Sequence, residues 1–265
     1  MSPRVMGIVN VTPDSFSDGG RLASAQAAIE HAMRLVADGA DILDIGGEST
    51  RPGAAPVAVD EEIARTLPVI VGLRARWDGP ISIDTMKPEV ARAAVAAGAS
   101  IWNDVAGLGF TDDAAEVAAE LGCDVIIMHG LRPRSARHVE VETQDIVSAV
   151  IDDLHSRADR AIAAGVPSSR ITLDPGIGFG KTPEQGLRLT AGLNRIKAVG
   201  FPVLYGASRK RLIAAVDPSA ADAGDRLGGS LALALAAADR GADVIRVHDV
   251  RETAQALKLR AALEA

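Results

Sequence analysis

The sequence predicts a single-domain α/β fold, a (β/α)8 or TIM barrel spanning residues 1–265. Short runs of Val, Ile and Leu alternate with Ala-rich helical stretches from end to end, and no linker or break in composition divides them. The 265 residues match the ~250 that such a barrel commonly needs. An open, doubly wound sheet uses the same alternation. Its phosphate signatures are missing, because no G-x-G-x-x-G follows the first strand and no G-x-x-x-x-G-K-[ST] occurs anywhere.

Strands are predicted over 5–11, 41–47, 81–85, 101–105, 124–129, 171–176, 203–208 and 244–249. Each run is almost continuously apolar, the pattern of a strand covered on both faces. Helices are predicted over 23–37, 60–77, 87–97, 143–164 and 226–240, where apolar and charged residues mix at helical spacing. The turns Asp38-Gly39-Ala40, Ala97-Gly98-Ala99 and Arg240-Gly241-Ala242 put glycine where a helix stops before the next strand.

Composition removes several classes of function. Hydrophobic residues make up 48% of the chain, but no uninterrupted apolar run approaches the ~18 residues of a membrane span. A net charge of -7 and 3% aromatic content argue against nucleic-acid binding, which draws on basic surfaces and stacking rings. The chain starts directly on a strand, with no secretory signal, and a single cysteine, Cys123, allows no internal disulfide; both predict a cytoplasmic protein. The motifs H-E-x-x-H, C-x-x-C and G-x-S-x-G are absent, which weakens zinc hydrolysis and the common serine nucleophile. Of the histidines, His31 and His155 are expected on solvent-facing helix surfaces and His138 in a basic loop, while Cys123 reads as a small packing residue.

Polar side chains fall at the ends of the apolar runs: Asn10, Asp44, Asp84, Asn103, His129, Asp174, Ser208, and the pair Arg246 and His248. In a barrel, the C-terminal strand ends converge on one mouth, where catalytic residues collect. Asp84, Asn103 and Asp174 are mainly acceptors and suit the adjacent N–H donors of a guanidine-like edge, such as a pterin or guanine presents. Arg51, Arg209, Lys210, Arg246 and His248 form a cationic set suited to a phosphate or carboxylate, joined by the amides of a helix following Ser208. Segments 10–20 and 46–53 are long, glycine-bearing and chemically dense, as loops that cover a substrate are.

These motifs resemble the dihydropteroate synthase family, the folate-synthesis enzymes targeted by sulfonamides. The resemblance covers essentially the whole chain and rests on 6–20, 46–53, Ser82-Ile83-Asp84-Thr85, Asn103-Asp104, Leu173-Asp174-Pro175-Gly176, Gly206-Ala207-Ser208-Arg209-Lys210 and Ile245-Arg246-Val247-His248-Asp249, in that order. It implies a homodimeric barrel that joins 6-hydroxymethyl-7,8-dihydropterin pyrophosphate to p-aminobenzoate. The products are 7,8-dihydropteroate and pyrophosphate. Carried over by position, Asp84, Asn103, Asp174 and Lys210 would hold the pterin; Phe179, on the glycine-rich segment after Asp174, borders the proposed site. Asn10, Arg246 and His248 would hold the pyrophosphate, and Asn10 would also ligate Mg²⁺. Phe16, Thr50, Arg51 and Pro52 would line the p-aminobenzoate site, with Asp18 organising the closed loops. Asp18, Arg51, Lys210, Arg246 and His248 are thus the expected catalytic set.

The sequence departs from the family pattern at three places. Met128-His129 continues into Gly130-Leu131-Arg132, where many relatives have Met-Gln-Gly; Arg211 stands where Ser is frequent, and Ile177 where Phe is frequent. Two other readings use the same residues. A barrel that handles methyltetrahydrofolate for methyl transfer shares the pterin contacts but not Thr50-Arg51-Pro52 or Ser208-Arg209-Lys210. A non-catalytic pterin-binding paralogue would not need Asn10, Asp18, Arg51, Lys210, Arg246 and His248 together.

Overall fold

The apolar runs form strands β1 (Arg4–Asn10), β2 (Ile42–Gly46), β3 (Ile81–Asp84), β4 (Ile101–Asp104), β5 (Asp124–Met128), β6 (Ile171–Asp174), β7 (Leu204–Tyr205) and β8 (Val244–Val247). These belong to a computed structural model that describes residues 2–11, 20–49, 54–130 and 145–263. Helices return the chain between them: α1 (Gly20–Ala37), α2 (Val59–Arg74), α3 (Pro88–Ala96), α4 (Ala114–Leu121) and α5 (Ile146–Ala163) in the first half. Then come α6 (Pro183–Ala191), α7 (Leu193–Lys197), α8 (Arg211–Val216), α9 (Leu227–Asp239) and α10 (Val250–Leu263). Gly39, Gly98 and Gly241 stop their helices with φ of 108°, 110° and 87°, which a side chain would resist.

All strand pairs are parallel, in the order β6-β5-β4-β3-β2-β1-β8-β7. The sheet closes through a bridge between Leu173 and Val203, with Leu173 N donating to Pro202 O at 2.9 Å. The strands end earlier than expected. The extreme case is the run over 203–208, of which only Leu204–Tyr205 is strand, because Gly206-Ala207-Ser208 peels away into a turn in which Arg209 has φ of 58°.

Side chains alternate across a strand, so the barrel has an inner and an outer set. The outer set, with Val5, Leu43, Ile83, Trp102, Ile127 and Leu173, packs against the helices in one large core. Inside, Met6, Ile42, Ile101, Ile126, Leu204 and Val244 form a separate apolar plug. Two residues further along the same strands stand Ile8, Asp44, Asn103, Met128, Gly206 and Arg246. The strands are therefore not covered by apolar atoms on both faces along their whole length. The inner face turns polar towards the C-terminal ends, and the continuous apolar pattern hid this because the outer residues fill the gaps.

One buried charge cluster fixes the exits of β2 and β3. Lys87 Nζ, on the turn after β3, donates to Glu48 Oε2 at 2.5 Å, Glu62 Oε2 at 2.5 Å and Val57 O at 2.7 Å. Val57 N in turn donates to Glu48 Oε1 at 3.2 Å, so the two ends of the 48–57 segment share one anchor. Lys87 and Glu62 are buried. Burial alone would lower the Lys87 pKa, but its bonds to Glu48 and Glu62 win and raise it. Lys87→Met leaves two carboxylates without their cation and is expected to cost about 3–5 kcal/mol of stability. A shift of the urea unfolding midpoint measures the loss, and a midpoint equal to that of the unaltered protein would show that Lys87 is dispensable.

Candidate active site

The polar ends of the inner set converge on a guanidinium. Arg246, from β8, donates through Nε to Asp44 Oδ2 of β2 at 2.6 Å and through Nη2 to Asp84 Oδ2 of β3 at 2.5 Å. The register explains the meeting, since Met6 of β1 lies between Ile42 and Arg246, and Gly46 lies opposite Asp84. Asn103, opposite Asp84 on β4, donates its amide to both Asp44 oxygens at 3.3 and 3.2 Å. Asp44 is fully buried, and Asp84 Oδ1 is buried with no hydrogen-bond partner among the described residues. Burial pushes Asp84 up to about 7. Arg246 opposes the rise, while Asp44 and Glu62 add to it. Burial likewise disfavours the charged form of Arg246, but Asp44 and Asp84 overcome this and raise its pKa.

A second group assembles from the glycine-rich segment after β6. Asp174 accepts from Gly176 N at 2.7 Å, and burial raises its pKa against the pull of that bond and of Lys210. Gly176 has φ of 65°, and a Cβ there would stand 1.9 Å from the carbonyl oxygen of His129. No other residue fits, so the β5 and β6 exits lie in direct backbone contact. Lys181 Nζ ties the same corner by donating to His129 O, Gly176 O and Phe179 O at 3.0, 3.0 and 3.1 Å. Burial lowers Lys181 to about 7, against the pull of Asp174 and Asp153. Lys210, after β7, lies with Nζ 4.0 Å from the centroid of the Phe179 ring. Burial and then Arg246 push it down to about 8, while Asp174 and Asp84 resist.

His248 and Asn10 complete the mouth. The Nδ1 of His248 lies 3.0 Å from Ser208 Oγ, which also accepts from His248 N at 3.2 Å, so Nε2 is the ring nitrogen that these contacts leave over. Burial, followed by Arg246 and Arg209, lowers its pKa to about 4. The imidazole is thus neutral near pH 7 and does not belong to the expected cationic set. Arg209 leaves that set too: its guanidinium is held by Asp249, with Nε and Nη2 at 3.0 and 2.5 Å from the carboxylate. Asn10 ends β1 with its side chain exposed beside Gly46. The helix expected after Ser208 starts later, with Lys210 as N-cap and Arg211 as its first residue.

The model of the family described as "Pterin binding enzyme" matches residues 6–248. A dihydropteroate synthase of Streptococcus pyogenes serotype M6 is 45% identical over 248 residues, 93% of this chain and 90% of that protein. The structure of Xanthomonas albilineans dihydropteroate synthase with 4-aminobenzoic acid superposes with a TM-score of 0.92 at 48% identity, covering 100% of this chain and 94% of the other. The same enzyme in complex with 7,8-dihydropteroate gives a TM-score of 0.90 at 45% identity, covering 100% and 94%. The chain belongs to the dihydropteroate synthase family.

Membership makes the chain a transferase and favours the synthase reading over the methyl-transfer barrel and the non-catalytic paralogue. Of the expected site residues, Asn10, Asp84, Asn103, Asp174, Phe179, Lys210, Arg246 and His248 gather at the C-terminal mouth of the barrel. Phe16, Asp18, Thr50, Arg51 and Pro52 lie outside the described residues, as do His138 and most of the divergent segment after His129. His31 is half-buried rather than solvent-facing, and burial lowers its pKa. Cys123 is buried and free, and Ile177 is a fully buried packing residue.

Sequence reasoning left two residues without a role at the site. Asp44 was visible as a strand-end polar residue, and counting in twos from Ile42 puts it inside the barrel. Lys181 follows the glycine run that failed to match a phosphate motif, and only the fold shows its three carbonyl partners.

Lys210 is protonated at pH 7 and loses its proton as the pH rises through about 8, more than two units below an ordinary lysine. Carbon-13 NMR of the lysine side chains is expected to show this titration, assigned by its loss in K210R. A Lys210 resonance that titrates above 10 would remove the burial argument.

Proposed function

We propose that this chain joins 6-hydroxymethyl-7,8-dihydropterin pyrophosphate to p-aminobenzoate, giving 7,8-dihydropteroate and pyrophosphate. The observation that carries the reading is the side-by-side placement of unspent acceptors and cations at the mouth. Asp84 Oδ1 has no hydrogen-bond partner among the described residues, and Asp174 lies on the Lys210 side of the same opening. A pterin ring brings the N–H donors that buried carboxylates need. The relatives' complexes with 4-aminobenzoic acid and 7,8-dihydropteroate support the choice of substrates.

In this reading the bond from the pterin methylene carbon to the pyrophosphate oxygen breaks first, and the electron pair leaves with the oxygen. Arg246 and the Nε2 side of neutral His248 face the growing negative charge. Asp84 and Asp174 favour positive charge spread over the ring. The amine of p-aminobenzoate then attacks the methylene carbon through its nitrogen lone pair, and the ammonium so formed passes its proton to the released pyrophosphate or to water. Phe16, Thr50, Arg51, Pro52 and Asp18 are proposed for the p-aminobenzoate side on the strength of the family motif. No covalent enzyme nucleophile is needed.

Asn10 supplies one neutral oxygen at the exposed end of β1, and the described residues contain no cluster of three or more His, Cys, Asp or Glu side chains that could hold a metal. That donor set fits Mg²⁺, which keeps several waters and takes its remaining ligands from phosphate oxygens. When bound, Mg²⁺ would offset charge on the pyrophosphate. We also propose a cytoplasmic homodimer. Free Cys123 is consistent with a reducing compartment, and exposed Leu259 and Leu263 of α10 beside Leu235 of α9 offer an apolar face to a second copy. No helix among the described residues is long and apolar enough to cross a membrane.

A coupled pyrophosphate-release assay tests the reaction. Release is expected from the pterin pyrophosphate with Mg²⁺ alone and faster with p-aminobenzoate; a strict requirement for the amine would replace stepwise departure with concerted displacement, and no release in either case would refute the function. Lys210→Ala is expected to lower kcat/KM by about 100-fold or more with little loss of stability. Arg246→Ala is expected to lower it at least as far while also costing about 3–5 kcal/mol of stability, because it strands Asp44 and Asp84, so its turnover is measured on protein shown by circular dichroism to be folded. Near-normal turnover would take that residue out of the site.

A further inference from the structure

The reaction described above gives no task to Asp44, although it is a fully buried carboxylate at the centre of the mouth. Burying a carboxylate is costly, and replacing a buried ion pair by apolar side chains is often neutral or stabilising, so packing alone does not account for it. Its partners point to another role. Asp44 takes the Nε–H of Arg246 at 2.6 Å and the Nδ2–H of Asn103 at 3.3 and 3.2 Å, and both partners belong to the proposed substrate site.

An Asn side chain offers an NH2 donor on one side and an oxygen acceptor on the other, and rotation by half a turn exchanges them. A carboxylate accepts only. With Asp44 beside it, Asn103 must turn its NH2 inward, which leaves Oδ1 as the atom available to a ligand. The neighbouring groups carry the same polarity. Asp84 Oδ1 is unpartnered among the described residues, and Asp174 commits one oxygen, Oδ1, to Gly176 N. Arg246 is held at two of its three nitrogens, Nε and Nη2, which leaves Nη1 on the remaining edge.

We propose that Asp44 is a positioning residue that sets the polarity of the substrate site, holding Asn103 with its oxygen towards the ligand and Arg246 with its Nη1 edge free. The mouth then presents acceptors to the pterin ring and selects an edge of N–H donors over one carrying ring nitrogens and carbonyls. The inference rests on the reading of this mouth as the pterin site.

The test compares the unaltered protein with D44N, N103A and the D44N/N103A double variant. D44N keeps the shape but puts an NH2 where the carboxylate had a second acceptor, so the Asn103 amide is free to turn over. Calorimetric titration with 6-hydroxymethylpterin is expected to show binding weakened by about tenfold or more in D44N, the scale of a hydrogen bond to a charged group. The KM for p-aminobenzoate is expected to stay within about twofold, and inorganic pyrophosphate with Mg²⁺ to lose less affinity than the pterin, because Asp84 still holds Arg246. In the N103A background D44N is expected to add less than about twofold, since residues acting through one another are not additive. Unchanged pterin binding in D44N overturns the proposal, and so does an effect that is additive with N103A or equal for both substrates. A nuclear Overhauser contact between the Asn103 NH2 and bound pterin in the unaltered protein overturns it without any variant. If the unaltered protein binds no pterin at all, the reading of the site fails and takes the proposal with it.

Discussion

A guanidinium inside a barrel has to be answered by charge, and the organisation of this mouth follows from how Arg246 is answered. It enters from β8 and is met by Asp44 and Asp84, from β2 and β3, across the closed interior. The inner apolar plug ends one layer below, so the pair and its neighbours lie in a low-dielectric wall that strengthens each contact and each mismatch. After burial, Arg246 is the largest influence on three neighbours: it opposes the rise of Asp84 and adds to the lowering of Lys210 and His248. Removing the charge would alter the protonation of its neighbours as well as its own contacts.

Most of the architecture could be read from the chain because a parallel barrel repeats one signal eight times. Apolar runs, Ala-rich helices and glycine stops at Gly39, Gly98 and Gly241 each recur, and a local error cannot shift the rest. Strand ends were less legible. Whether 203–208 stays in the sheet depends on the turn at Arg209, which reflects the bond from its backbone N to Ser230 Oγ and its pairing with Asp249, more than twenty residues away. The polar ring was legible as a list and not as a network. Arg209 and Arg246 look alike as basic residues near strand ends, yet one lies inward on β8 and the other is spent on Asp249.

The net charge of -7 describes the protein's surface and long-range field, not the mouth. Among the described residues of the mouth, Asp44, Asp84 and Asp174 stand with Arg246, Lys210 and Lys181, three acidic groups with three basic ones. A ligand with a donor-rich ring at one end and a polyanion at the other suits such a balance better than a simple anion does. Each end of it meets groups left incompletely satisfied by the protein alone.

The barrel closes at its thinnest point, where β7 has only two residues and meets β6 through the single Leu173–Val203 bridge. Asp174 and Lys210 stand on opposite banks of that seam, one after β6 and the other after β7. A ring held by both would act as a clasp across the least-stitched joint of the cylinder. A ligand that bound only the closed barrel would stabilise that closure by mass action, most of all at a joint held by so few backbone contacts.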